Sequence, residues 1–266
     1  MISEHIPSDS ISELENWKKL YFKNSDSRLS SFTDHDSRSK EFKKNFNLSF
    51  VLFNLLNIKD VDLLNDKYTV ISRNYLIENI IQSLVATDNN LYTLASMEYR
   101  SAIESALRFA LAIENIMLKE KKAELWKNGT PDSQIILASK TIKSKLDTHK
   151  IGAFTNFSKI YFKNSPINIS VDKVLDIYSL LSNKVHTNDF ENTHFVKYLL
   201  DIYNFDSETI NSQVRVFNQV LTHIFVICYL SINKKLKTEL IGTQTEYFLE
   251  ANSNTDNLFK LLEIET

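Results

Sequence analysis

Along most of this chain apolar residues return every three or four positions, the repeat that gathers them on one face of an α-helix. The stretch "SISELENWKKLYF" aligns Ile11, Leu14, Trp17, Leu20 and Tyr21, and Ser10 with Glu13 is spaced as a capping box, which predicts a first helix over about 10–24. The polar, aperiodic "NSDSRLSSFTDHDSRSK" predicts a loop. A second helix is expected over about 40–58, around "FNLSFVLFNLLNI", and a third over about 60–86, broken near 72–74. The longest spans about 91–125, where Ala102, Ala106, Phe109, Ala110, Ile113 and Met117 form a stripe whose small residues permit close helix packing. Gly129 and Pro131 in "KNGTPDSQ" are the stop and restart signals that end it. Shorter helices are predicted over about 132–149, 154–162, 171–185 and 193–202, then a long one over about 207–236 and a weaker element in "QTEYFLEANSNTDNLFKLLEIE".

Three glycines and three prolines in 266 residues leave little material for the tight turns that join strands, so the fold class predicted is all-α, a multi-helix bundle. With 43% hydrophobic residues the chain can bury one large core. The expected organisation is an N-terminal helical region over 1–86 that packs on the core, a helical bundle over 87–240 and a tail element over 241–266, weighted as one all-α unit. A formal net charge of −2 supplies no global field toward nucleic acid or membrane, so any RNA or DNA contact must be local. The single cysteine, Cys228, excludes an internal disulfide and argues against a thiolate metal cluster; a reducing cytoplasm fits best. The acidic start, with Pro7, lacks the basic and apolar parts of a secretion signal. In the apolar stretch 214–232, Arg215, Asn218, Gln219, Thr222 and His223 recur at helical steps, which predicts a polar edge on a buried helix rather than a membrane span.

Two constellations can carry chemistry. In "MEYRSAIESALRFA", Arg100, Glu104 and Arg108 stand at i, i+4 and i+8 on one face. As a solvated charge ladder they would contribute a few tenths of a kcal/mol per pair. Flanked by Ala102, Ile103, Ala106 and Leu107, however, part of the ladder should be half-buried, where a charge must be paired or kept for a task. In "YSLLSNKVHTND", Tyr178, Ser182, Asn183, His186 and Asp189 close a helix whose apolar face is Val171, Val174, Leu175, Tyr178, Leu181 and Val185. His186 falls in its last turn, where the helix dipole favours the protonated imidazole. It either caps carbonyls and fills a polar niche, or acts as a general acid or base that needs a cation from another helix, Arg100 or Arg108.

A long helix carrying "YRSAIE", followed some 80 residues later by a helix ending in "YSLLSNKVH", resembles the HEPN superfamily of helical-bundle proteins, in particular the group found in abortive-infection and toxin–antitoxin loci. Arg100, Glu104, Tyr178, Leu181, Ser182, Val185 and His186 carry the resemblance, which covers about 87–235 and leaves additional helices N-terminal to it. It implies a dimeric, metal-independent ribonuclease in which the RNA 2′-hydroxyl is the internal nucleophile, His186 moves a proton and an arginine steadies charge on the phosphorane-like transition state. In that superfamily the arginine precedes the histidine on the same helix, whereas residues 179–181 here read Ser-Leu-Leu. Either Arg100 or Arg108 supplies the cation, with Glu104 orienting it and Tyr178, Ser182 and Asn183 as RNA-binding or polar support, or the bundle is a non-catalytic relative. The second class is an interaction module, such as a defence-system sensor or an immunity or antitoxin-like partner.

Other candidates are weaker. His186 and His194 with Asp189 between them are separated by helix-breaking residues, and Asp34, His35 and Asp36 in "FTDHDSRS" read as a solvated loop, so no metal is expected. No Walker loop, dinucleotide glycine fingerprint or "HExxH" helix occurs, and no cofactor is expected. "YFKN" appears at 21–24 and 161–164, where lysines could touch phosphates while Tyr21 or Tyr161 stacks on bases; amphipathic helix ends with snorkelling lysines are the simpler reading of both.

Overall fold

A computed structural model describes Lys19, residues 37–185 apart from positions 58, 90 and 131, and residues 207–236. Within them the chain forms eight packed α-helices: α1 (Ser37–Leu56), α2 (Val61–Asn65), α3 (Lys67–Asp88), α4 (Tyr92–Lys127), α5 (Ser133–Leu146), α6 (Ile151–Tyr161), α7 (Asn168–Val185) and α8 (Ser207–Leu236). The helices expected over 10–24 and 193–202, the tail element, and the loop residues Asp34, His35 and Asp36 lie outside the described residues.

Local chemistry sets the boundaries. The third helix of the sequence reading is two helices, and the break falls at Asp66 rather than near 72–74. Asp66 is extended, and its Oδ2 accepts from the backbone N–H groups of Tyr68 and Thr69, both at 3.1 Å, so it caps the free start of α3. Asp60 does the same for α2, accepting from the Leu63 N–H at 2.9 Å. Ser72, Arg73 and Asn74 continue α3 without interruption. α4 ends at Lys127 with Asn128 as its C-cap, and Gly129 follows at φ 70°, a left-handed conformation that a residue without Cβ adopts at little cost. Asp132 then caps α5 through the Gln134 N–H at 2.8 Å.

α4, 36 residues and therefore about 54 Å long, is the spine. It packs against α3, α5, α6, α7 and α8, and its alanines 95, 102, 106, 110 and 112 are all fully buried, which lets neighbouring backbones approach. α1 lies on α8 and touches α3, so Leu48, Leu52 and Leu56 belong to the same hydrophobic core as Leu107, Val174 and Ile227. α8 is long and apolar enough to cross a bilayer by length and composition, but 78% of its apolar window is buried inside the bundle. Cys228 points into that core, fully buried, and burial pushes its thiol pKa up.

The polar edge expected on α8 has partners. Tyr99 of α4 donates to Asn45 Oδ1 at 2.8 Å, Asn45 Nδ2 donates to Asn218 Oδ1 at 2.9 Å, and Asn218 Nδ2 donates to Glu41 Oε2 at 3.1 Å. Arg215 closes the chain on Glu41 Oε1 at 3.1 Å. Tyr99 also stacks on Phe217, ring centroids 4.4 Å apart, and its burial raises the phenol pKa to about 12. A polar chain through a core is tolerable only when its members satisfy one another, and this one ties α1, α4 and α8 in one register.

Candidate functional site

Arg100 and Glu104 sit one turn apart on α4, and α7 brings Tyr178 against them. The Tyr178 phenol donates to Glu104 Oε1 at 2.8 Å, and Arg100 Nε stands 3.9 Å from the same oxygen. The Arg100 guanidinium lies over the Tyr178 ring, its Cζ 5.0 Å from the ring centroid, so charge and ring quadrupole attract as well. Arg100 and Glu104 keep 20% and 17% of their side-chain surface, enough to exclude most water while leaving one edge open. Burial raises the Tyr178 pKa; the hydrogen bond and charge of Glu104 push the same way, and Arg100 opposes them. The phenol is therefore a neutral donor near neutral pH. Together the three groups form a clamp: the guanidinium lies over the Tyr178 ring with the Glu104 carboxylate within ion-pair distance, and arginine is the side chain whose planar fork matches a phosphate.

Arg108, two turns further along α4, is turned to other partners. Its Nη1 donates to the Leu146 carbonyl at 2.8 Å and its Nη2 to the Thr148 carbonyl at 3.0 Å, with Cζ 4.3 Å above the Phe154 ring. It closes the carbonyl end of α5 and braces the start of α6. Burial lowers its pKa, and Glu104 works in the opposite direction.

Ser182 lies one turn beyond Tyr178 on α7; its Oγ is buried and has no hydrogen-bond partner among the described residues. Asn183 belongs to α7, but its side chain lies outside the described residues, as do His186, Asp189 and His194 entirely. α7 is described as far as Val185, the residue before His186. The first "YFKN" is also outside them. In the second, Tyr161 faces the bundle: its hydroxyl donates to Glu114 Oε2 at 3.3 Å and its ring meets the edge of Phe162.

Sequence reasoning placed His223 on a polar edge but missed its partner. Ser170 Oγ of α7 lies 3.2 Å from His223 Nδ1, and burial, with the charge of Lys173 added, pulls the His223 pKa down to about 4. Glu114 was likewise missed: it receives Lys234 Nζ at 2.7 Å besides Tyr161, while Lys235 pairs with Glu120 and Asp62. The i, i+4 spacing reveals contacts within one helix only, so such pairs between helices leave no local signal. Among the described residues no group of three or more His, Cys, Asp or Glu side chains stands together as a metal site. No family model matches the chain, and neither a curated protein nor a solved structure matches it.

Proposed function

We propose that this protein is a HEPN-like, metal-independent ribonuclease that acts as a cytoplasmic homodimer in phage defence or a toxin–antitoxin system. One observation carries the reading. The two short segments behind the HEPN resemblance, "YRSAIE" and "YSLLSNKVH", lie 74 residues apart at Glu104 and Tyr178, yet they meet in one hydrogen-bonded cluster. Arg100 is the arginine of that cluster; Arg108 is engaged with carbonyls.

In the proposed reaction the 2′-hydroxyl oxygen of RNA attacks the adjacent phosphorus, and the bond to the 5′-oxygen breaks. A 2′,3′-cyclic phosphate and a 5′-hydroxyl result. His186 takes the proton from the 2′-hydroxyl and returns it to the departing 5′-oxygen. Arg100, paired with Glu104 and lying over the Tyr178 ring, donates to the phosphorane oxygens as negative charge builds on them. Ser182, whose hydroxyl is buried one turn beyond Tyr178, is polar support behind the cluster rather than a contact to RNA.

Incubating a mixed RNA pool with the protein in EDTA tests this. The wild type should cut, while His186→Ala and Arg100→Ala, at matched melting temperatures, should each lose the activity by a factor of roughly a hundred or more. Intact RNA with the wild type, together with a lowered melting temperature for His186→Ala, would make His186 structural and end the nuclease reading.

A second reading, a non-catalytic module that docks a protein from the same locus, draws on a different observation. α3 turns Ile71, Tyr75, Ile81 and Val85 outward, 42–59% exposed, beside Leu94 and Met97 at the start of α4. Such an apolar face suits a protein partner. Were RNA left intact, charge substitutions at Tyr75 and Val85 should then weaken complex formation with that partner.

A further inference from the structure

Charge is distributed unevenly along the chain. From Ser133 to Val171 there are six lysines and one aspartate, a net charge of +5 within a molecule whose total is −2. The fold gathers this segment into one antiparallel hairpin, α5 and α6 joined by residues 147–150, lying along α4. Lys140, Lys143, Lys150, Lys159 and Lys163 are all exposed. The aspartate, Asp147, accepts a hydrogen bond from the Tyr68 phenol at 2.7 Å. Exposed Lys159 stands 3.5 Å from half-buried Asp172, a contact still open to water and worth little; the other four have no ion-pair partner among the described residues.

Resting on the ribonuclease reading, we propose that the outer face of the α5–α6 hairpin is where the ribose–phosphate backbone of the RNA lies. Two features choose this occupant. The surface offers many cations and little to stack on: Tyr161 faces Glu114, Phe157 lies beneath Lys145, whose Nζ is 5.7 Å from the ring centroid, and among its described residues His149 alone presents an exposed ring. It therefore contacts phosphates and is indifferent to base sequence. The surface also leads to the clamp: Arg108 fastens the hairpin loop through the Leu146 and Thr148 carbonyls, and Glu104 is one helical turn along α4 from Arg108. A strand lying across Lys140, Lys143 and Lys150 is led along α4 toward Arg100, two helical turns (about 12 Å) beyond Arg108. The weak global charge is thereby reconciled with an RNA substrate, because the contact is local.

The test measures binding of a short single-stranded RNA of mixed sequence by fluorescence anisotropy over a range of salt concentrations. Lys140→Gln/Lys143→Gln/Lys150→Gln should lose roughly tenfold or more in affinity at low salt, and the slope of log affinity against log salt should flatten by about 2. A control at exposed lysines elsewhere, Lys67→Gln/Lys121→Gln/Lys127→Gln, should bind as the wild type does. Asn156→Lys, adding a cation to the exposed face of α6, should steepen the slope by about 0.7. Equal slopes for the wild type and the triple hairpin variant would overturn the proposal. So would a wild type that ignores RNA but sediments with phosphatidylserine vesicles. Hairpin-dependent binding without cleavage leaves this surface standing and removes the nuclease reading; cleavage lost in Arg100→Ala but indifferent to the hairpin lysines does the reverse.

Discussion

Between α7 and α8 an imidazole is held where solvation of its charge is poor, and Lys173 nearby makes a second positive charge less welcome still. His223 therefore stays neutral in the fold at pH values where an unfolded histidine is protonated. Its pKa is about 4 folded against 6.5 unfolded, so its contribution to stability is complete above about pH 6.5 and is lost as the pH falls toward about 4. The full loss is on the order of 3 kcal/mol. Urea melts near pH 7 and near pH 5 should show the wild type losing markedly more stability on acidification than His223→Gln; equal losses would rule His223 out as the source. At this scale the sequence was legible where partners share a helix. Arg100 and Glu104 were paired from their spacing, and half-burial of the ladder followed from its apolar flanks. Arg108 defeats such reading because its acceptors are main-chain carbonyls, which carry no residue identity. The Ser170–His223 contact depends on how two helices lie together, which no local pattern encodes.

At the scale of elements, every described residue of α8 is helical as expected and α4 matches to within two residues, since long amphipathic runs leave few alternatives. Short helices were read late: α6 and α7 each begin three residues before their expected starts, because a first turn supplies few apolar positions to count. The displaced break in the third helix shows which signal won. Ser72 and Asn74 are poor helix formers, but Ser72 is buried against the bundle and packing overrides propensity. Asp66 by contrast satisfies two N–H groups that nothing else would. Asp66→Ala should cost about 1 kcal/mol as a lost cap, with a small addition for the partly exposed contact to Lys119 at 3.2 Å. Denaturant melts of Asp66→Ala and Asp66→Asn would check this, the asparagine recovering most of the loss as an equally good cap.

For the whole molecule, scarcity of glycine and proline together with helical periodicity was sufficient to predict an all-α bundle, and the alanine stripe correctly marked α4 as the helix that others approach closely. The pairing of α1 with α8 was not legible. Glu41 and Asn45 find Arg215 and Asn218 across more than 170 positions of chain, and nothing in either segment names the other. That pairing means the first described helix is an inner wall of the bundle, so removing it should open the core rather than trim an appendage.

The lone thiol of the chain faces that same core, on the helix against which α1 is laid. An electrophile can reach Cys228 only after the bundle comes apart, because the sulfur must be both accessible and ionised. Alkylation of the native protein should then run slower than that of a free thiol by a factor of several thousand or more, the factor set by a stability of about 5 kcal/mol or greater. Deleting α1 should abolish most of that protection, and retained protection would show that α1 is dispensable to the core. With one sulfur atom, the molecule carries its own gauge: how slowly the label appears reports how small a fraction of the time the bundle stands open.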